Sequence, residues 1–182
     1  TQIERAKIKN QEPMCLWMTG LSGSGKTTIA NALDIALYKM KKHTYVLDGD
    51  NLRHGLNSDL NFSDNDRNEN VRRTAEMAKL IVDSGLIVIV GLISPFKRER
   101  DWARSIFKPN HFKEIYISTS INECEKRDVK GLYQMARRGM IKNFTGITSP
   151  YEPPWNPEVT IDTENKTIDE CVQQTLKQVE IL

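Results

Sequence analysis

Apolar residues recur along this chain in two rhythms. Residues 14–19 form a nearly unbroken apolar run that leads into a glycine, whereas Ile29, Leu33, Ala36, Leu37 and Met40 return at helical spacing. Residues 44–48 are again strand-like after the polar break KMKKH, and 51–66 are polar enough to predict a short helix and a loop. Val71, Ala75, Ala78 and Val82 then mark one face of a longer helix. Arg72, Arg73, Glu76 and Lys79 turn away from that face, and Gly85 is its stop. The β-branched run LIVIVGLI (86–93) predicts a strand covered on both sides. Helices are expected over 97–107, 120–129 and 167–182, and strands over 112–118 and 158–162. The Gly-, Pro-, Arg- and Lys-rich stretch 130–157 predicts a mobile excursion. Strands separated by helices imply an α/β fold, with a mostly parallel sheet flanked by helices on both sides. One domain spanning residues 1–182 is expected.

Composition narrows the class without naming the chemistry. The chain has 182 residues, 26 basic and 24 acidic, and is 38% hydrophobic, which excludes a disordered chain and gives no reason to expect nucleic acid as partner. No apolar run approaches the ~18 residues that a spanning helix needs. The polar N-terminus has no signal-peptide core. Cys15, Cys124 and Cys171 are odd in number and lack CxxC pairing, so they read as reduced thiols of a cytoplasmic protein. His43, His54 and His111 have no metal-ligand spacing, and the Trp residues are expected in core or lid packing.

The strongest local signal is Gly20-Leu21-Ser22-Gly23-Ser24-Gly25-Lys26-Thr27, which fits G-x-x-x-x-G-K-[ST] between a strand and a helix. Glycines let successive N–H groups face an anion, and the helix N-terminus adds partial positive charge. Lys26 suits the β/γ-phosphates, and the Thr27 hydroxyl suits Mg²⁺. A nucleoside triphosphate and magnesium follow, but no acceptor.

Other phosphate-loop classes fit poorly. Asp128-Val129-Lys130-Gly131 spells DxxG too late in the chain for a GTPase switch, and Asn165-Lys166-Thr167-Ile168-Asp169 sets its aspartate one residue too far for NKxD. The most apolar strand runs into Ser94-Pro95, where a motor ATPase would carry an acid. The acids available are Asp48 and Asp50, at the end of the second strand. Ligands in open parallel sheets bind beyond the carboxyl ends of the strands, which brings 20–27, 48–53 and 94–98 together. A small-molecule kinase fits.

Further segments narrow the acceptor. They are Asp48 to Leu56 (DGDNLRHGL), Phe62, Asp66 to Arg73 (DRNENVRR), Ile93 to Phe96 (ISPF), Lys130 to Tyr133 (KGLY) and Ile141 to Ile147 (IKNFTGI). With the loop GLSGSGKTT, this series resembles the adenylyl-sulfate kinase family, in order, from Leu16 to Pro157. The resemblance implies a P-loop fold and transfer of the ATP γ-phosphate to the 3′-hydroxyl of adenosine 5′-phosphosulfate, giving 3′-phosphoadenylyl sulfate and ADP. It also implies a homodimer. The runners-up are a gluconate- or nucleoside monophosphate-type kinase, and a regulatory module that binds ATP without transferring phosphate.

The resemblance also implies residue roles. Gly20, Ser22, Gly23, Ser24, Gly25, Lys26, Thr27 and Thr28 would hold ATP. Asp50 would engage Mg²⁺ or orient the 3′-hydroxyl and accept its proton, with Asp48 in support; the alternative for such an aspartate is a helix cap. Arg53 and Arg67 suit the phosphosulfate anion, because a guanidinium fork grips oxyanions at two points. Asn70, one turn beyond Arg67, would meet sugar or anion. The bland reading of these residues is a solvated helix face, which is kept for Arg72 and Arg73. Phe62 and Phe144 would sandwich the acceptor adenine; a lone loop Phe is otherwise tucked into the core. Ile93 and Ser94 would position the acceptor. Phe96 and Asn143 depart from the Tyr and Gly common in the family. Lys130, Arg137, Lys142 and Asn143 fall in the expected lid (130–157), where six basic residues stand against one acidic over 126–142. Residues 163–166 lie where the ATP adenine is expected.

Overall fold

The computed structural model describes residues 1–181. Its centre is a parallel sheet of β1 (Cys15–Thr19), β2 (Thr44–Asp48), β3 (Ile87–Gly91), β4 (Phe112–Ile117) and β5 (Val159–Ile161), in the order β2-β3-β1-β4-β5. The helices that join the strands are α2 (Lys26–Lys39), α3 (Gly49–His54), α4 (Asp64–Asp83), α5 (Lys97–Ser105), α6 (Ile121–Arg127), α7 (Leu132–Arg137) and α8 (Ile168–Gln178), preceded by α1 (Gln2–Ile8).

β1 is buried at all five positions, so its alternating side chains feed two cores. Leu16 and Met18 pack with Ile29, Leu33 and Leu37 of α2 and Leu176 of α8. Cys15 and Trp17 face the other way, onto Val71, Ala75, Ala78 and Val82 of α4. Ile87 and Ile89 of β3 join the first core, and Val88 and Val90 join the second. The continuous apolar runs of β1 and β3 therefore have a physical cause, since each strand is roofed on both faces. Register levels the strand ends: Gly91 stands beside Met18 on one side and Asp48 on the other. The loops after β1, β2 and β3 thus open at the same height.

One element is new and two expectations change. The polar N-terminus is helical, closed by a reciprocal Thr1–Glu4 capping box, although α1 buries no residue. It lies against the turn into β3, through Arg5 to Asp83 at 2.5 Å, Lys9 to the Ser84 carbonyl and Gln11 to the carbonyls of Gly85 and His43. The excursion 130–157 contains α7, whose first N–H groups are accepted by the Asp128 carboxylate, and its far end is bonded to the core of the fold. The tryptophans divide. Trp17 is fully buried, whereas Trp102 is part-exposed and Trp155 is 87% exposed beneath Lys97. Cys15, Cys124 and Cys171 are buried free thiols, as expected.

Candidate active site

The loop after β1 turns sharply into α2. A side chain at Gly20 would meet the Ile117 carbonyl at 2.6 Å, and Gly25 caps the helix at φ +104°. The loop is held from outside by its carbonyls. Thr119, Thr163 and Arg127 all donate to the Ser24 carbonyl, and the Tyr133 hydroxyl donates to that of Ser22 at 2.8 Å. Lys26 is buried and donates to the Gly20 and Leu21 carbonyls at 2.9 and 2.7 Å. Burial lowers its ammonium to about 8, with the Asp48 and Asp50 carboxylates opposing the shift. Thr27 and Thr28 are exposed at the start of α2.

Across the loop stands the end of β2. Asp48 accepts from the Thr27 hydroxyl at 2.8 Å through one oxygen and from the Asp50 amide at 2.9 Å through the other, so it caps α3 as well. Asp50 is exposed and ion-pairs with Lys130 of the excursion. The helix cap thus falls on Asp48, and the Asp50 carboxylate is left to the ion pair with Lys130. Asp48 is the carboxylate in contact with the P-loop hydroxyl, a detail that the sequence left in a supporting role.

The acceptor candidates cluster beside α3 and α4. Arg53 lies with its guanidinium 4.4 Å from the Phe62 ring centre and donates to the Leu60 and Asn61 carbonyls. Arg67 donates to the Phe62 carbonyl, to the Thr145 hydroxyl and to the Asn143 carbonyl. Burial, and for Arg53 then the neighbouring Arg67, lowers both guanidinium pKa values. Both spend their hydrogen bonds on neutral oxygens, so the cluster keeps positive charge for an anion. Phe62 is 61% exposed, which rules out the core reading. Phe144 is half-buried and meets Tyr133 edge-on at 4.9 Å. Asn143, exposed, adopts φ +56°, a left-handed conformation that asparagine tolerates. Asn70 is buried, and its carbonyl oxygen accepts from Asn57 at 2.8 Å, so that oxygen serves the fold.

Ile93 and Ser94 follow β3. Ser94 is buried at φ +38°, and its hydroxyl accepts from the Trp17 indole at 3.1 Å. Glu99, nearby on α5, has a buried oxygen without a hydrogen-bond partner among the described residues, and burial pushes its carboxyl up to about 7. Arg137 turns to Glu125 at 2.5 Å instead of standing free, and Lys142 is exposed. Arg72 and Arg73 pair with Glu69, and Arg73 also with Asp59, in keeping with a solvated face.

The site thus sets a phosphate loop beside two aspartates, with an arginine–phenylalanine cluster around α3 and α4. The family model for adenylylsulphate kinase matches residues 12–162. The chain belongs to the adenylylsulphate kinase family. Members of this family are phosphotransferases. An adenylyl-sulfate kinase of Marinobacter nauticus is 55% identical over 176 residues, covering 97% of this chain and 88% of that relative. The structure of a Mycobacterium tuberculosis APS kinase in complex with AMPPNP and APS superposes with a TM-score of 0.88 at 44% identity, covering 93% of this chain and 98% of that one. A gluconokinase from Sinorhizobium meliloti, 16% identical with a TM-score of 0.57, shares the fold alone. Among the described residues no helix is long and apolar enough to cross a membrane.

Proposed function

We propose that the chain transfers the γ-phosphate of ATP to the 3′-hydroxyl of adenosine 5′-phosphosulfate, forming 3′-phosphoadenylyl sulfate and ADP. The observation that carries this reading is the facing of two sets of groups. On one side stand Lys26 and Thr27 of the P-loop. On the other stand Asp48, Asp50 and the cationic Arg53–Arg67 pair with its exposed Phe62.

Phosphoryl transfer is governed by positioning and charge neutralisation. The backbone from Gly20 to Thr28, with Ser22, Gly23, Ser24 and Gly25 turned by their glycines, cradles the donor phosphates, and Lys26 balances the charge gathering there. The 3′-oxygen bonds to the γ-phosphorus as the bond to the β–γ bridging oxygen breaks. Asp50 receives the hydroxyl proton, and Lys130 orients that carboxylate. Arg53, Arg67 and Asn70 face the phosphosulfate side, Phe62 and Phe144 take the adenine by stacking, and Ile93 and Ser94 set the edge of the sugar site.

Mg²⁺ suits this donor set. The Thr27 hydroxyl and the Asp48 and Asp50 carboxylates are hard oxygens, and magnesium is commonly held by one or two carboxylates together with substrate phosphates. Thr27 and Asp50, with Asp48 behind them, would hold it, and bound there it would neutralise phosphate charge. The segment 130–157 acts as a lid within one domain of residues 1–182, carrying Lys130, Arg137, Lys142 and Asn143 over the phosphates and excluding water. A homodimer in the cytoplasm completes the reading; the three buried thiols support the reducing compartment.

The deciding experiment identifies products after incubation with ATP and adenylyl sulfate, against gluconate and AMP as rival acceptors. Formation of 3′-phosphoadenylyl sulfate with stoichiometric ADP is expected. ADP release with gluconate or AMP, and none with adenylyl sulfate, would overturn the proposal.

A further inference from the structure

Arg100 is the largest charged side chain shut inside the molecule, at 2% exposure. Each of its three nitrogens serves a different segment. Nε donates to Glu114 of β4 at 2.8 Å, Nη1 to the Ser94 carbonyl at 2.6 Å and Nη2 to the Glu152 carbonyl at 2.6 Å. Burying a guanidinium is costly, and a buried ion pair by itself is weak support for stability. Neutralising Glu114 would need one of these bonds, and Arg104 also stands 3.5 Å from that carboxylate. The other two join the turn after β3 to the end of the 130–157 excursion.

Neighbouring groups join the same two pieces. The Thr19 hydroxyl donates to the Ile93 carbonyl at 2.7 Å and meets the Tyr151 hydroxyl at 2.9 Å. The Glu152 amide donates to the Pro95 carbonyl, and its carboxylate accepts from the Lys97 amide at 2.7 Å. Residues 93–97 and 151–152 are therefore one stapled unit. Ser94 sits inside it at φ +38°, a strained value that persists only where surrounding bonds over-determine it. The P-loop carbonyls are held by another set, Thr119, Arg127, Tyr133 and Thr163. The staple reaches the approach to that loop only at Thr19, while the three bonds of Arg100 touch none of the loop.

We propose that Arg100 is a positioning residue for the acceptor: its fork clamps the Ser94 turn to the far root of the lid, so acceptor affinity depends on it and donor affinity does not. This rests on the acceptor lying at Ile93–Ser94, as in the function proposed above. A lysine supplies charge for Glu114 but lacks the planar fork that spans three acceptors.

The test is steady-state kinetics of Arg100→Lys with each substrate varied in turn. Loss of charge-assisted bonds at the turn should raise KM for adenylyl sulfate by roughly tenfold or more and leave KM for ATP within about twofold. Leu176→Ala, a buried truncation in α8, controls for plain destabilisation and should not split the two constants. Equal changes in both constants, no change, or the same split in Leu176→Ala overturns the proposal. Should Arg100→Lys fail to fold, Tyr151→Phe removes one bond of the same staple; a smaller rise confined to the acceptor supports the clamp, and an unchanged acceptor KM overturns it. Wild-type protein that turns over adenylyl sulfate while the split is absent refutes the clamp alone. Wild-type protein inert to adenylyl sulfate refutes the proposed function, and the clamp's role with it.

Discussion

The Thr27 hydroxyl and the Asp48 carboxylate meet at 2.8 Å, joining the first residue after the P-loop lysine to the last residue of β2. The contact follows from register. Asp48 and Met18 both flank Gly91, so the loop after β1 and the end of β2 open side by side.

If the pair works as one unit, its losses should not add. Asp48→Asn and Thr27→Val should each lower turnover by roughly one to two orders of magnitude. The double variant should fall little below the worse single one, a coupling of roughly 1.4–2.7 kcal/mol. Chelating divalent metal should stop the wild-type reaction. Additive losses would place the two residues in separate roles.

Asp50 is the candidate proton acceptor. Asp50→Ala should keep ATP binding, measured by calorimetry, and lose turnover by roughly 10²–10⁴. Unchanged turnover removes Asp50 from the chemistry. Its exposure means that little stability should be lost.

Phe62→Ala removes a ring that is already 61% exposed, so Tm should barely move. Acceptor KM should rise roughly 5- to 100-fold, in line with the loss of one stacking contact, while ATP binding stays put. Equal effects on both substrates would argue against stacking on the acceptor.

The buried Lys26 titrates near 8, so ATP affinity should weaken as pH rises above about 8, and binding at about pH 9 should take up protons. Titration calorimetry in buffers of different ionisation enthalpy measures that uptake. Flat affinity and no uptake would separate Lys26 from the phosphates. Stability runs the other way. The unfolded lysine titrates at 10.5, so between about 8 and 10.5 the unfolded chain holds more protons, and the contribution of this residue rises with pH.

Glu99 has the opposite slope. Its folded pKa of about 7 lies above the ordinary 4.5, so between those values the native state binds more protons and stability falls as pH rises. Glu99→Gln should therefore raise Tm by roughly 3–8 °C at about pH 8 and hardly at all at about pH 4. Thermal melts at the two pH values decide it; an equal shift at both would mean that burial is not the cause.

Strands and long helices were legible because their apolar patterns repeat. The apolar pattern does not mark α1, because that helix buries nothing, although the sequence carries the Thr1–Glu4 capping spacing. α7 lies in a Gly- and Arg-rich stretch, and its start depends on Asp128, the aspartate of the misplaced DxxG. The P-loop was readable because its function sits in adjacent residues. The Thr27–Asp48 bond, the grip of Arg67 on Asn143 and Thr145, and the Arg100 clamp were not, because each joins residues brought together only by folding. The helix expected over 97–107 gives no sign of which arginine is enclosed, yet Arg100 on α5 is the most deeply buried cation among the described residues. The excursion was expected to be mobile, yet the staple ties its far root to the turn after β3.

The N-terminal helix carries a practical consequence. Arg5 of α1 pairs with Asp83, and Gln11 just after the helix bonds to Gly85 and His43; these residues precede β3 and β2, while the site opens where those strands end. The sheet thus stands between the first residue and the chemistry. A surface tether attached through an exposed side chain of α1, such as Lys7, would leave from the opposite pole and keep the proposed substrate entry clear, making that face the rational handle for immobilising the enzyme.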